Sequence, residues 1–372
     1  MQQEQVTLAG DSAGTRRTLT LYRYGTRGAG PLVYLQAGLH ADEMPGVLVL
    51  QHLMALLDMA EAEGRVSGEV AVVPVANPIG LAQWSGYKPM GRMEAESLEN
   101  FNRHYPDLAA LAGDALEGQL TASEDENLSI VRAAFRAALD REPSMTDLQD
   151  QRLALLKWSC AADYVLDLHC DHEAIMHLYA SPARPADTSL LCRSVGAELA
   201  MIEAVSGGNA FDEANSAPWA ALRQRFGDRF PIPNGCFSTT LEYRGQFDVD
   251  DVTAARDAAN LMTFLAAIGA LTPDGSAPAY PEPPHYPLGG ALEAFAPTGG
   301  VVAWQTDPGE TVTKGQVLGH VVEPVTRVRS PIVSPADGIM FRRELWRSCL
   351  RGQSLCEVSG PVVLRYGNLL SN

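Results

Sequence analysis

Short apolar runs alternate with helical patterns along the first 270 residues, and this alternation restricts the fold more than any other feature of the sequence. The apolar runs predict strands at residues 17–24, 31–37, 69–76, 163–168, 174–180 and 237–243. Helical spacing of apolar residues predicts one helix that begins at Pro45 and others at about 126–141, 146–158, 185–204 and 252–270. The alternation therefore predicts an α/β fold whose central sheet is covered by helices on both faces.

The composition changes at residue 272. Residues 272–288 contain six prolines and no apolar period, which predicts a linker or an extended crossing segment. Beyond it lies an internal repeat, in which residues 296–302 resemble residues 334–340 and residues 315–318 resemble residues 352–355. Two similar β units predict a small all-β barrel. We thus expect a main domain at 1–271, a linker at 272–288 and a C-terminal barrel at 289–372.

Bulk properties argue against several classes of partner. The net charge of −17 argues against nucleic acid, because neutralising phosphates needs a basic surface. The apolar stretches are too short and too interrupted to span a bilayer, so we expect no membrane association. The first five residues lack the basic and apolar regions of a signal peptide. Six scattered cysteines without a Cys-x-x-Cys pair favour reduced thiols in a cytoplasmic protein.

A candidate metal site follows two of the predicted strands. His40 and Glu43 lie three residues apart on the turn after residues 31–37, and His169 ends a second apolar run. Two histidines and one glutamate with an open fourth position form the catalytic zinc set of thermolysin and carboxypeptidase A. Asp167 is a candidate partner for the His169 imidazole. The alternative is a buried histidine without metal and a glutamate that only stabilises a helix N-terminus.

Four further residues are candidates for chemistry. Asn102 and Arg103 offer an amide and a planar fork that suit a carboxylate, although such residues in loops are usually solvated. Arg92 lies in a loop from which it could stabilise an oxyanion. Glu242 ends a predicted strand and could serve as a general base for water, or it could be a surface residue paired with Arg244.

The order of these motifs resembles the succinylglutamate desuccinylase/aspartoacylase family, which is related to zinc carboxypeptidases. The matching motifs are G-x-H-x-x-E, N-x-N-R, D-L-H and a glutamate on a strand, followed by the repeat region. The resemblance implies a mixed central sheet and one Zn²⁺ per chain held by His40, Glu43 and His169. It also implies that Asn102 and Arg103 hold the substrate's carboxylate.

The same resemblance makes Glu242 the catalytic acid and base. Two departures from the family pattern stand out. Asn100 occupies a position where many members carry aspartate, and the glycine that follows Glu242 comes later here, at Gly245. His172 and His177 either line the substrate pocket or lie on the strand surface.

The C-terminal repeat resembles the biotinyl/lipoyl fold. Carrier proteins of that fold display a modified lysine in a hairpin, which in biotin carriers lies between two methionines. No such Met-Lys-Met triplet is present, and Lys314 occupies an ordinary turn position. We therefore expect a structural appendage rather than a carrier, with an edge through which subunits could pair into a homo-oligomer.

The combined prediction is a zinc-dependent amidohydrolase. It would remove an acetyl or succinyl group from an N-acylated amino acid or a related small amine. The acid-rich segment around Asp171 and Glu173 favours an amine that carries positive charge. The alternatives are a metallocarboxypeptidase that acts on peptides and a non-catalytic carrier or binding protein.

Overall fold

The computed structural model describes residues 1–10, 13–273, 275 and 277–370. Residues 274 and 276 of the predicted linker and residues 371–372 of the predicted barrel lie outside the described residues. The α-helices are α1 (Pro45–Ala62), α2 (Pro78–Leu81), α3 (Leu108–Ala112), α4 (Glu124–Leu139), α5 (Asp147–Ser159), α6 (Pro185–Val195), α7 (Phe211–Phe226) and α8 (Asp251–Ala267).

The β-strands form three larger sheets and one two-stranded sheet among the described residues. They are β1 (Gln2–Thr7), β2 (Thr18–Gly25), β3 (Leu32–Ala37), β4 (Glu69–Val73), β5 (Trp84–Ser85), β6 (Lys88–Pro89), β7 (Tyr164–Asp171), β8 (Glu173–Ala174), β9 (His177–Ala180), β10 (Leu199–Ile202), β11 (Phe237–Gly245), β12 (His285–Pro287), β13 (Ala291–Phe295), β14 (Gly300–Trp304), β15 (Thr311–Val312), β16 (Val317–Val322), β17 (Arg329–Val333), β18 (Gly338–Arg343), β19 (Ser348–Cys349) and β20 (Ser354–Ser359).

A large mixed sheet forms the centre of the molecule. Within the described residues its strand order is β1-β2-β4-β3-β7-β11-β9-β10-β12. Strands β4, β3, β7 and β11 run parallel, whereas β9 is antiparallel to β11. Every residue of β4 is buried, as expected for a strand covered on both faces. The predicted α/β fold with a mixed sheet and helices is confirmed.

Two apolar clusters fix the helices to the two faces of this sheet. One cluster joins the sheet to α1, α6 and α8, and the other joins it to α3, α4, α5 and α7. Local signals set the helix ends: the Thr146 side chain accepts a hydrogen bond from the Gln149 N–H at 3.2 Å and so caps α5. The central sheet is therefore held between two helical layers, with its strand ends free to carry a site.

One predicted helix is wrong in part. Residues 185–204 form α6 only as far as Val195, and Leu199–Ile202 form the buried strand β10. Gly196 has a φ of +82°, the left-handed conformation that ends many helices. The four apolar residues that follow pair with β9 on one side and β12 on the other, so tertiary pairing decides their conformation.

The C-terminal region is all-β, but its sheets are open. In the described residues one sheet has the order β13-β20-β18-β15 with β8 added to β18, and the other has the order β17-β16-β14-β19. The predicted all-β barrel is not confirmed, because neither sheet closes on itself. The internal repeat is visible in the backbone: Gly300 and Gly338, which open β14 and β18, have φ values of +155° and +159°.

Strand pairing joins the C-terminal sheets to the main domain. Glu173 and Ala174 of β8 pair with Arg343 and Arg342 of β18. Strand β12, at the end of the proline-rich segment, adds a parallel edge to the central sheet. In the described part of the chain, no helix is both long enough and apolar enough to cross a membrane.

Candidate active site

Parallel pairing of β3 and β7 brings the candidate metal ligands together. Ala37 of β3 lies opposite Leu168 of β7, so the turn after β3 lies beside His169. Gly46, at the start of α1, allows the close approach, because a Cβ atom there would lie 2.8 Å from the Leu168 Cβ atom. Ligands gather at the carboxyl ends of parallel strands in such folds, and this site follows that rule.

Three buried side chains converge at this point. The Nδ1 atom of His40 lies 2.9 Å from Oε1 of Glu43, and the Nδ1 atom of His169 lies 2.8 Å from Oε2 of the same carboxylate. The three residues are 4, 5 and 2% exposed, and one ligand atom from each lies within 4.8 Å of the other two. The structure thus brings together all three residues predicted as metal ligands.

The far side of each ring also meets an oxygen. The Nε2 atom of His40 lies 2.9 Å from Oδ1 of Asn100, and that oxygen also accepts the Asn102 N–H at 2.8 Å, which fixes the orientation of the amide. The Nε2 atom of His169 lies 2.9 Å from Oδ2 of Asp167, although the two atoms are not aligned as a hydrogen bond.

These contacts explain why the cluster suits a cation. A neutral imidazole has one N–H, and His40 can donate it from Nε2 to Asn100. Its Nδ1 lone pair then faces the carboxylate of Glu43, where two acceptors repel each other unless a positive charge lies between them. Two imidazole nitrogens and one carboxylate are ligands that Zn²⁺ prefers, so the donor set fits this metal.

Electrostatics in the cluster are strongly coupled. Burial lowers the pKa of His40. Burial alone would raise the pKa of Glu43, but His40 and His169 lower it well below its ordinary value. Burial would also lower the pKa of His169, yet the carboxylates of Asp167 and Glu43 raise it well above the usual range. The cluster therefore favours a negatively charged Glu43 with positive charge nearby.

Glu242 and Arg92 lie at the same site. Glu242 stands directly opposite His169 in the pairing of β11 with β7. Its buried Oε2 atom has no hydrogen-bond partner among the described residues, and burial followed by the Glu43 charge raises its pKa well above the ordinary value. The Nη1 atom of Arg92 lies 3.4 Å from Nδ1 of His40 and 3.8 Å from Oε1 of Glu43. Both residues line one cavity together with the candidate ligands.

Asn102 and Arg103 form another part of the cavity wall. The Asn102 side-chain oxygen accepts the Phe211 N–H at 2.8 Å. Arg103 donates from Nη1 to the Asn102 carbonyl at 2.7 Å and from Nε to the Leu370 carbonyl at 3.1 Å. Arg103 is buried, and among the described residues it has no carboxylate within ion-pair distance, so its charge is available to an anion.

One cavity of about 460 Å³ joins all seven predicted site residues. His172 also lines it, whereas His177 is fully buried and donates from Nδ1 to the Ile175 carbonyl at 2.9 Å. Sequence patterns gave no signal for further charged lining residues, which lie before and on α7 and in the C-terminal region. They are Glu203, Asp212, Glu213, Glu293, Arg342, Glu344, Glu357 and Arg365. No motif marks them, because only folding brings these segments to the cavity.

Comparisons with known proteins agree with this architecture. Residues 29–222, slightly more than half of the chain, match the succinylglutamate desuccinylase/aspartoacylase catalytic domain. No curated protein matches the sequence significantly.

Several solved structures share the fold. A protein from Shewanella frigidimarina NCIMB 400 described as a succinylglutamate desuccinylase/aspartoacylase is 26% identical, with a TM-score of 0.83 and 96% of each chain covered. A protein of Shewanella amazonensis SB2B assigned to the same family is 24% identical, with a TM-score of 0.82, and covers 96% of this chain and 98% of its own.

The product-bound ectoine utilization protein EutE (DoeB) of Ruegeria pomeroyi is 17% identical, with a TM-score of 0.65 over 96% of this chain and 94% of its own. The family match spans the candidate ligands, Arg92, Asn102 and Arg103, and the resemblance inferred from the motifs is confirmed. This chain belongs to the succinylglutamate desuccinylase/aspartoacylase family of amide-bond deacylases.

Proposed function

We propose that this chain is a zinc-dependent deacylase that hydrolyses the amide of an N-acetylated or N-succinylated amino acid or a related small amine. The observation that carries the proposal is the convergence of His40 and His169 on the two oxygens of Glu43, with Glu242 on the adjacent strand. The family match supports the reaction class, and the ligand set supports the metal.

His40, Glu43 and His169 would hold the metal. When bound, Zn²⁺ lowers the pKa of a coordinated water and polarises the substrate carbonyl. Asn100 and Asp167 would hold the two imidazole rings in place from behind.

Glu242 would move the proton. It accepts a proton from the attacking water as the water oxygen bonds to the acyl carbon, and it returns that proton to the amide nitrogen as the C–N bond breaks. The second proton of the water is lost from the new carboxylic acid to solvent, so the products are a carboxylate and a free amine. The raised pKa of Glu242 suits a group that must hold a proton between these two steps. Arg92 would stabilise the negative charge that develops on the carbonyl oxygen.

Asn102 and Arg103 would bind the carboxylate of the amino acid, away from the bond that breaks. Among the described residues that line the cavity are nine carboxylates and four guanidinium groups. This excess of negative charge favours an amine with a positive side chain over a dicarboxylate. A metallocarboxypeptidase that acts on peptides is the competing activity. The cavity of such an enzyme must admit a longer chain, whereas Glu344 and Leu370 of the C-terminal region form part of the wall of the cavity in this protein.

Two further proposals concern the protein's setting. All six cysteines are buried free thiols, which supports a cytoplasmic location. A homo-oligomer, for which the open C-terminal sheets offer unpaired edges, stays a prediction.

The proposal is tested by measuring amine release from a panel of N-acetyl and N-succinyl amino acids with acidic, neutral and basic side chains. Short peptides are included in the same assay. We expect one zinc per chain, hydrolysis of at least one N-acyl amino acid and no cleavage of peptides. His40→Ala and Glu43→Ala should abolish both zinc content and hydrolysis, because each removes one of three ligands.

His52→Ala is the matched control. His52 lies on α1 beyond the site, where it contacts Asp251, and its loss should leave zinc content and rate unchanged. Full activity in His40→Ala, or faster cleavage of peptides than of N-acyl amino acids, would refute the proposal.

A further inference from the structure

Strand β11 is irregular directly after Glu242. Two of its residues, Tyr243 and Arg244, stand opposite the single residue Cys170 of β7. Such a two-against-one arrangement is a β-bulge, which redirects side chains and often occurs beside active sites. The bulge therefore changes the direction of the strand at the residue that follows the proposed general base.

The bulge moves one positive charge from the cavity face to the opposite face of the sheet. Leu241 and Tyr243 belong to the buried apolar cluster that also contains residues of α8, and Glu242 between them lines the cavity. Regular alternation would place Arg244 on the cavity face beside Glu242. Instead the Arg244 guanidinium donates to the carboxylate of Asp257 on α8.

This conformation is unfavourable for an arginine. Arg244 has a φ of +59°, in the left-handed region that glycine adopts freely and side-chain-bearing residues rarely adopt. Its partner Asp257 is 2% exposed, so the carboxylate depends on a nearby cation. Arg256 is a weaker partner, because its Nε atom lies 3.8 Å from Asp257 and its side chain is 58% exposed.

We propose that Arg244 and Asp257 form a positioning pair that holds the β11 bulge and so keeps Glu242 directed into the cavity. The ion pair offsets the strain at Arg244, and the strained residue in turn keeps its charge away from Glu242. The inference rests on the proposed role of Glu242 as acid and base. Neither member of the pair lines the cavity, so both act through the strand.

The test uses glycine as a rescue. In Asp257→Asn the ion pair loses its negative partner, so Arg244 leaves the left-handed region and Glu242 shifts. We expect kcat to fall roughly 10-fold to 100-fold, with KM and zinc content little changed. In the double variant Arg244→Gly/Asp257→Asn, glycine adopts the same backbone conformation without strain, so kcat should return to near the wild-type value. Arg256→Ala is the matched control and should leave kcat unchanged.

Three results would overturn the positioning pair. They are an unchanged kcat in Asp257→Asn, a fall that the added glycine does not rescue, and a fall in the zinc content of Asp257→Asn that accounts for the lost activity. If the pair had only a structural role, Asp257→Asn would have a lower melting temperature, but its kcat measured well below that temperature would equal that of wild type.

Wild type and Glu242→Gln are measured beside these variants. If wild type hydrolyses no N-acyl amino acid, or Glu242→Gln remains fully active, the proposed function is wrong, whatever the positioning pair does. A crystal structure of Asp257→Asn then decides the positioning pair: a negative φ at residue 244 and a shifted Glu242 support it, and an unchanged bulge overturns it.

Discussion

Each candidate histidine ligand has an oxygen close to its far side, and the two oxygens differ in charge. His40 meets the neutral amide of Asn100, whereas His169 meets the carboxylate of Asp167. An acceptor behind a ligating imidazole fixes its tautomer and makes the other nitrogen a better ligand. Oδ1 of Asn100 also accepts the Asn102 N–H, so Asn100 links the candidate metal site to the proposed carboxylate site.

At the scale of the residue we therefore predict an effect of Asn100→Ala on metal binding. The variant should bind zinc roughly 10-fold to 100-fold more weakly, because His40 loses the acceptor that orients it. Asn100→Asp is the matched control and should keep or increase the affinity, since a carboxylate accepts the same N–H. Zinc titration against a competing chelator measures both. Equal affinities for wild type and Asn100→Ala would show that the His40 ring is held by other contacts.

The sequence predicted the central residues of this site better than the residues that line the rest of the cavity. Seven residues chosen from motifs line one cavity, because His40, Glu43 and His169 sit at strand ends that the fold must bring together. Their chemical roles stay predictions. Asp212 gave no such signal: burial and the neighbouring Glu213 raise its pKa to about 7, a property created only by packing.

At the scale of the element, the contact between α1 and β7 determines how precisely the ligands can be placed. Gly46 lies in the first turn of α1, next to the segment that carries Glu43. A Cβ atom at Gly46 would lie 2.8 Å from the Leu168 Cβ atom and 3.1 Å from its carbonyl oxygen. Neither atom can move unless β7 moves, and β7 carries His169.

Gly46→Ala should therefore destabilise the protein by about 1–3 kcal/mol, the usual cost of overpacking, and should also weaken zinc binding. The higher helix propensity of alanine offsets only part of this cost. Thermal unfolding and zinc titration measure the two effects. Met59→Ala, on the exposed side of α1, is the control and should change neither. A Gly46→Ala protein with normal stability and zinc affinity would show that α1 is free to shift.

Strand β10, which the sequence pattern predicts as the end of a helix, shows where local patterns fail. Residues 185–204 have helical spacing, but Leu199–Ile202 are four apolar residues that suit either a helix or a buried strand. Their conformation depends on pairing with β9 and β12, and β12 lies in a proline-rich segment that is distant in sequence. The predicted C-terminal barrel is not confirmed for a similar reason, since a repeat predicts similar strands but not how their edges meet.

At the scale of the whole molecule, the main domain and the C-terminal sheets share a core. Ile175, Leu199 and Met201 from the main domain pack in one cluster with Phe341 and Leu369. Around this cluster, Glu173 of β8 accepts hydrogen bonds from Arg343 and Arg347 at 2.6 Å each. Because the cavity is lined from both sides, the site requires the two parts to stay docked.

We therefore predict that the two parts unfold together. Cys192 lies in the main-domain core and Cys356 in the C-terminal core, and both are fully buried, so their alkylation reports the unfolding of each part. Both thiols should become reactive at the same temperature. Phe341→Ala should lower that temperature for both, because truncating a buried phenylalanine costs about 3–5 kcal/mol.

Val325→Ala, at a position that is 85% exposed, is the matched control and should leave both temperatures unchanged. If Phe341→Ala exposes Cys356 at a lower temperature while Cys192 stays protected, the two parts unfold independently. The C-terminal sheets would then be a separable cover on the cavity. Joint exposure means instead that the cluster around Phe341 couples the stability of the C-terminal sheets to that of the main domain, which carries the candidate metal ligands.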